Sequence, residues 1–402
     1  MRVGSPMTRG ARPYKVGVAA AIIGLPLFLL LPFATVRRSR IATGVGLPPW
    51  ASIGPVLTLL VVALWVAVVV LSVREGGRGR ALARGGLGTA IIVAMVALSG
   101  VAATDLGAQA GRFARVSIGG GVWVSAISAY ALVLASRRIL GRRSASGVVI
   151  GVFAPVAIVV MLLSGYLDNL GIMKEYANVA DRFWVETANT VVFAAVAVTI
   201  ATAAGVFLGI GAFRNQRLER PIFATVSVFQ TIPGLAMVGL LVAPLATASF
   251  ALPILRRLGI GGIGWAPVVI ALTLYALLAI VRNTYAGLRN VPPAVVDAGR
   301  GMGMTDGQLM RKVELPLGMP VVFSGVRTST VQTIGNATLG AFVGGITLGR
   351  FIFQGLAEQS PDLTMLGSIA LVVIAVLADG ALRIVQSRLF RTHSVGGEGS
   401  LP

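Results

Sequence analysis

The chain has 402 residues, of which 56% are hydrophobic and 12% charged, with a mean hydropathy of +0.87. A soluble globular chain carries about twice that charged fraction, so the composition reads as an integral membrane protein. With no cysteine and one histidine, His393, the sequence excludes disulfides, thiolate metal sites and a zinc or haem centre, and no catalytic residue, metal ligand or cofactor is expected.

A helix crossing a bilayer needs about 20 apolar residues. Ten runs of roughly that length predict spans near 15–35, 51–73, 86–103, 119–136, 148–167, 187–213, 221–245, 265–283, 320–345 and 363–385. The expected fold is therefore an all-α polytopic membrane protein of about ten helices. The first run follows Arg2, Arg9, Arg12 and Lys15 but is long and is followed by Arg37, Arg38 and Arg40, which favours an uncleaved membrane helix over a signal peptide. Segment 168–186 mixes charge with scattered apolar residues and predicts a short interfacial helix between two halves.

The net charge of +20 comes from basic residues in short clusters between apolar runs. That is the pattern of topology signals rather than of a nucleic-acid surface, so no nucleic acid is expected as a partner. With the N-terminus inside, inner segments hold 23 Lys and Arg against 10 outside, which puts both termini in the cytoplasm. Trp50, Trp123, Trp184 and Trp265 fall near outer span ends, where indole prefers to sit, and Trp65 is the exception in mid-span.

Between the eighth and ninth runs lies Asn-Val-Pro-Pro at 290–293, then a polar stretch to Pro320, too long for a simple connector. Pro292 and Pro293 suit a helix start. Gly301 and Gly303 break that helix, Thr305 or Asp306 caps a second, and Leu315–Pro316 is expected to stop it. Leu309, Met310 and Val313 give the second helix an apolar stripe, so the loop is a stiff knob suited to a groove in another protein. A surface hairpin joining two spans is the plainer alternative.

This segment resembles the "EAA" loop of permease subunits in bacterial ABC importers. The pattern is Glu-Ala-Ala, three residues, Gly, nine residues, Ile, one residue, Leu-Pro. Asp297, Ala298 and Gly299 stand at the first three positions, Gly303 at the glycine, Val313 at the isoleucine, then Leu315 and Pro316. Asp297 and Gly299 depart from it, the second at a cost of about 1 kcal/mol in helix propensity. The resemblance implies a loop, within 292–318, that docks on a separate ATP-binding subunit. The chain itself shows no Gly-x-x-x-x-Gly-Lys-Ser/Thr segment.

The resemblance covers about 183–390, a type I importer permease core. Residues 1–182 are then an accessory region, and 391–402 a cytoplasmic tail. Phe229 to Ala236, Gly325-Val326-Arg327, Thr333 to Ala337 and Asp297 to Thr305 look like the branch serving osmoprotectants such as glycine betaine, choline or carnitine. Phe113 to Gly121 and the five extra spans look like a longer subgroup. The implied partners are an ABC ATP-binding subunit, an extracytoplasmic solute-binding protein received by loops 246–264 and 346–362, a second permease copy or paralogue, and a small polar solute in the cell (inner) membrane. A permease for another polar solute such as an amino acid, and an ion-driven secondary transporter, are the alternatives.

Two stretches suit a solute path. Pro233 breaks a helix beside the polar residues Gln230 and Thr231, which lipid tolerates only beside a cavity or a partner helix. Ser329, Thr333 and Asn336 recur at helical spacing on one face of the ninth span. The same residues serve equally as interhelical glue. Arg327 and Asp379 are charges inside spans, expected at similar depth and able to pair.

Overall fold

The computed structural model describes residues 14–39, 42–73, 76–111, 113–141 and 144–390. Expectations resting on Arg2, Arg9, Arg12, Arg40, His393 and the tail lie outside the described residues. The chain divides into two compact units, 1–178 with 358–362, and 179–357 with 363–402.

The first unit holds α1 (Lys15–Leu30), β1 (Ala34–Arg37), β2 (Val45–Leu47), α2 (Pro49–Ser52), α3 (Gly54–Ser72), α4 (Arg78–Ala110), β3 (Arg115–Ile118), α5 (Gly120–Leu140) and α6 (Ala145–Leu163). Its core is built around Trp65, fully buried, whose Nε1 donates to Ser125 Oγ at 3.0 Å. Inside lipid such a bond is worth about 1 kcal/mol. Gly24 lets α1 reach this indole, since a Cβ there would meet Trp65 Cζ2 at 2.4 Å. The mid-span tryptophan is thus a packing residue, while Trp50, Trp184 and Trp265 are exposed.

The first span ends sooner than the hydropathy suggests. Pro32 cannot donate a ladder bond, and α1 stops at Leu30. Thr35 and Val36, β-branched, continue as β1, the centre of a small antiparallel sheet of order β2-β1-β3. Ala34 pairs with Leu47 on one side and Ile118 on the other. Among the described residues, which are otherwise mostly helical, there are three strands of three or four residues, too short to announce themselves by alternation. Ser117 on β3 donates to the buried Asp362 carboxylate at 2.7 Å, and Arg115 lies 3.8 Å from Glu175.

Segment 168–186 is not a separate interfacial helix. It opens α7 (Gly171–Arg214), 44 residues without interruption. No proline occurs between Pro155 and Pro221, so nothing obliges the helix to stop at the bilayer surface.

The second unit continues with α8 (Gln216–Thr231), α9 (Gly234–Ala251), α10 (Pro253–Arg257), α11 (Trp265–Arg289), α12 (Pro293–Gly301), α13 (Asp306–Leu309), a π turn (Met310–Glu314), α14 (Leu315–Asn336), a 3-10 segment (Ala337–Val343), α15 (Gly349–Ala357) and α16 (Pro361–Leu389). Among the described residues eight helices are long and apolar enough to cross a membrane: α3, α4, α5, α6, α7, α9, α11 and α16. The other expected spans miss that measure for local reasons. α1 has 16 residues, the seventh run is cut at Ile232–Pro233 into α8 and α9, and α14 carries Arg327 with a series of hydroxyl and amide side chains.

Candidate functional site

The polar loop folds as two helices around one turn. Pro293 sits in the first turn of α12, where its missing N–H leaves no bond unmade. α12 ends in paired closing bonds: Gly303 N–H to Arg300 O at 2.9 Å, and Met304 N–H to Gly299 O at 3.2 Å. This closure needs a left-handed residue, and Gly303 supplies it at φ +79°. Thr305 then caps α13 reciprocally with Gln308, accepting from its N–H while the Gln308 side chain accepts from Thr305 N–H. Arg214, at the end of α7, donates to Asp306 O at 3.2 Å and fixes the loop to that helix.

Two expectations change here. Leu315–Pro316 does not end the second helix. The π turn intervenes, with Leu315 N–H reaching back to Met310 O, and the helix continues as α14 with Pro316 in its first turn. A widened turn admits a proline where an α-turn would clash with its ring. The apolar stripe also turns inward. Leu309 and Met310 are buried, and Leu309 packs on Gly299, where a Cβ would meet Leu309 Cδ1 at 2.6 Å. The departure from alanine at 299 is thus a packing choice. Met302 is the most exposed of the large apolar residues that the loop presents, followed by Val295, with Asp297 exposed beside Arg300. Val313 is half-buried. Sequence spacing could not separate Met302 from the other spacer residues.

The second feature is the break between α8 and α9. α8 ends at Thr231 and Pro233 opens α9, so Ile232 leaves the helical ladder. Tyr275 on α11 compensates: its hydroxyl donates to Ile232 O at 2.7 Å, while Gln230 Nε2 donates to Tyr275 O at 2.9 Å. In sequence, nothing around Tyr275 distinguishes it from a core aromatic. Thr231 satisfies its hydroxyl on Val228 O, and Gln230, Thr231 and Pro233 are exposed on this chain. Gly234 lies against Leu339, bringing the break next to the 3-10 segment that follows α14.

α14 is held on two sides. Gly318, Val322, Gly325, Ser329 and Thr333 form a buried seam, and Ser329 Oγ donates to Ala276 O on α11 at 3.2 Å. Gly287 and Gly318 touch through backbone atoms. Ser329 and Thr333 are therefore packed between helices, and Asn336 is half-buried at the helix end. The structure brings Gln230 and Ser329 to adjacent carbonyls of α11 but turns Thr333 away from open space. On the other side Arg327 Nε meets Asp379 Oδ1 at 2.5 Å, Asp379 also takes Arg383 at 2.9 Å, and Gln386 reaches Pro320 O. Asp379→Ala leaves a guanidinium inside a span without its carboxylate. We expect about 2 kcal/mol of destabilisation, seen as lower detergent-solubilised Tm, and recovery in the Arg327→Met/Asp379→Leu double variant. A double variant as unstable as the single would show that the ion pair is not the cause.

The loop between α14 and α16 is also tied down within this unit. Thr190 Oγ1 accepts from Leu348 N–H at 3.0 Å, and Glu186 lies 3.7 Å from Arg350.

A helical chain with a broken span at a polar clamp and a structured loop between two spans has the build of a membrane permease. Residues 201–391 match the family described as binding-protein-dependent transport system inner membrane component, and residues 14–173 match the N-terminal domain of the ABC transporter permease YehY. The choline transport system permease protein OpuBB of Bacillus subtilis is 36% identical over 48% of this chain and 82% of its own length. The carnitine transport permease protein OpuCB of Listeria monocytogenes is 38% identical over 50% of this chain and 87% of its own. The osmoprotectant import permease protein OsmW of Salmonella typhimurium is 35% identical over 48% and 84%. The chain belongs to the family of binding-protein-dependent inner membrane transport components, as a multi-pass permease subunit.

Proposed function

We propose that this permease imports a small osmoprotectant of the glycine betaine, choline or carnitine type by alternating access, driven by a separate ATP-binding subunit. The observation that carries the reading is the loop 292–318. Its two helices are locked by the Gly303 closure and the Thr305–Gln308 cap, and it presents Met302 and Val295 outward. A rigid projection with an exposed apolar residue is what a helix-in-groove contact needs. In this reading Asp297, Ala298, Gly299, Gly303, Val313, Leu315 and Pro316 form the coupling loop on the cytoplasmic side of the inner membrane, with both termini on that side. Residues 183–390 are the working core and 1–182 its accessory region. The solute class follows the relatives, whose own names specify choline, carnitine and osmoprotectants.

The partners are the ATPase, a second permease copy or paralogue, and an extracytoplasmic solute-binding protein. Segment 246–264, with Leu252, Ile254, Leu258 and Ile263 exposed, together with 346–362, is the surface offered to that binding protein. The test is uptake into proteoliposomes of the purified complex, comparing glycine betaine, choline, carnitine and amino acids with and without internal ATP. ATP-dependent uptake of a quaternary ammonium solute is expected. Preference for an amino acid, or uptake driven by an ion gradient in the absence of the ATPase, would replace this reading.

A further inference from the structure

Three observations fix which part of α14 is left open. Its seam, Gly318 through Thr333, packs on α11. The roughly opposite side reaches α16 through Arg327–Asp379, Pro320–Gln386 and Phe323–Phe390. At 100° per residue, Thr328, Gln332 and Gly335 fall together on one flank between those faces, and all three are exposed. A Cβ added at Gly335 would meet nothing within 4 Å.

The depth of this flank follows from α11. Gln230 donates to the carbonyl of Tyr275 and Ser329 donates to that of Ala276, neighbours near the middle of the 25-residue helix. Thr328 therefore stands at mid-span at the depth of Gln230, and Gln332 about 6 Å further along at 1.5 Å per residue. The helix break and the 3-10 segment meet just beyond, at Gly234 and Leu339.

What can cover such a flank is limited by chemistry. Thr328 Oγ1 is satisfied on Ser324 O, as exposed Thr199 is on Ala195 O, so a threonine alone decides nothing. Gln332 decides it. Its carboxamide has two donors and an acceptor, and among the described residues it makes no hydrogen bond within the chain. Facing hydrocarbon, an unsatisfied amide costs several kcal/mol, by about 2–7 on transfer scales. An aqueous face offers the partners that hydrocarbon lacks.

We propose that the Thr328–Gln332–Gly335 flank of α14, together with Gln230 and Thr231 at the same depth, is the water-filled wall along which solute crosses, and that Ser329 and Thr333 are not part of it. The wall is uncharged: amides and hydroxyls, with no carboxylate to hold a cation. Such a surface passes a hydrated or zwitterionic solute without trapping it, and leaves recognition to other surfaces. The assignment rests on the permease reading above but not on which solute is carried.

The chain contains no cysteine, so single cysteines can be placed in the otherwise native protein. Thr328→Cys, Gln332→Cys, Ser329→Cys and Thr333→Cys are assembled with the ATPase in native membranes and treated with a charged, membrane-impermeant methanethiosulfonate from either side. Because access and thiolate formation set thiol reactivity, positions 328 and 332 are expected to react about tenfold faster than 329 and 333. Equal, slow reaction at all four, with normal abundance, is the result expected if lipid or a second permease covers the flank, and it overturns the proposal. Thr328→Cys is nearly isosteric and keeps the experiment decisive if Gln332→Cys does not accumulate. Labelling needs no solute. Failure to transport any quaternary ammonium compound with fast labelling intact would overturn the solute assignment alone.

Discussion

Gly303→Val is expected to reduce ATP-driven uptake by about an order of magnitude while the protein still reaches the membrane. Apart from its two chain neighbours, nothing in the chain lies within 4 Å of the position where its Cβ would stand, so crowding is not the cause. The cause is the backbone: φ is +79°, and a left-handed conformation costs an ordinary L-residue about 1–2 kcal/mol, a β-branched one more. That is comparable to the two closing bonds that end α12, so the turn relaxes and α12 loses its fixed angle to α13. A factor of ten corresponds to about 1.4 kcal/mol, within reach of this strain. Asparagine tolerates the left-handed region, so Gly303→Asn should keep most of the transport. The measurement is uptake normalised to membrane abundance, with ATPase activity of the complex alongside. Equal damage by Val and Asn would assign the glycine a contact role instead, such as close approach of the partner.

Tyr275→Phe is expected to destabilise the chain by about 1 kcal/mol, the cost of a half-buried carbonyl that loses its donor, and to slow uptake. The hydroxyl it removes is the partner of Ile232 O, which the proline at 233 has already separated from the helical ladder. Gln230→Leu should cost less. The carbonyl that Gln230 touches lies inside α11, where the helix supplies another donor. The order of the two variants in a thermal melt of the solubilised protein is the decisive reading. If Gln230→Leu is the more damaging, the amide rather than the tyrosine holds the break.

Much of this was legible from the chain, and the limits have physical causes. The build of the loop 292–318 could be read because glycines, prolines and a capping threonine act locally: Pro293, Gly303 and Thr305 do in the structure what their chemistry alone dictates. The Arg327–Asp379 pair could be anticipated because two opposite charges at one depth in lipid have few other solutions. What could not be read depends on partners far along the chain. Residues on neighbouring faces of α14 look alike in sequence, and only the packing of α11 and α16 shows that Ser329 is inside the seam and Gln332 outside it. The π turn before Pro316 was equally hidden, since a proline announces a stop unless the turn beneath it widens. Tyr275 is identified only by a carbonyl 43 positions away.

From Asp306 to Asn336 the backbone is helical without a gap, because the π turn joins α13 to α14 instead of parting them. At 1.5 Å per residue this is a rod of roughly 45 Å, and it contains no slack segment in which a push could dissipate. A load applied at the loop must be delivered along the rod, tilting or twisting α14 as one piece against α11 and α16. Under the proposed coupling, the contacts that must yield are the small-residue seam on α11 and the Arg327–Asp379, Gln386–Pro320 and Phe323–Phe390 contacts on the other side, and the stiffness of that joint, more than the grip of the loop, would govern how far the helix travels per stroke.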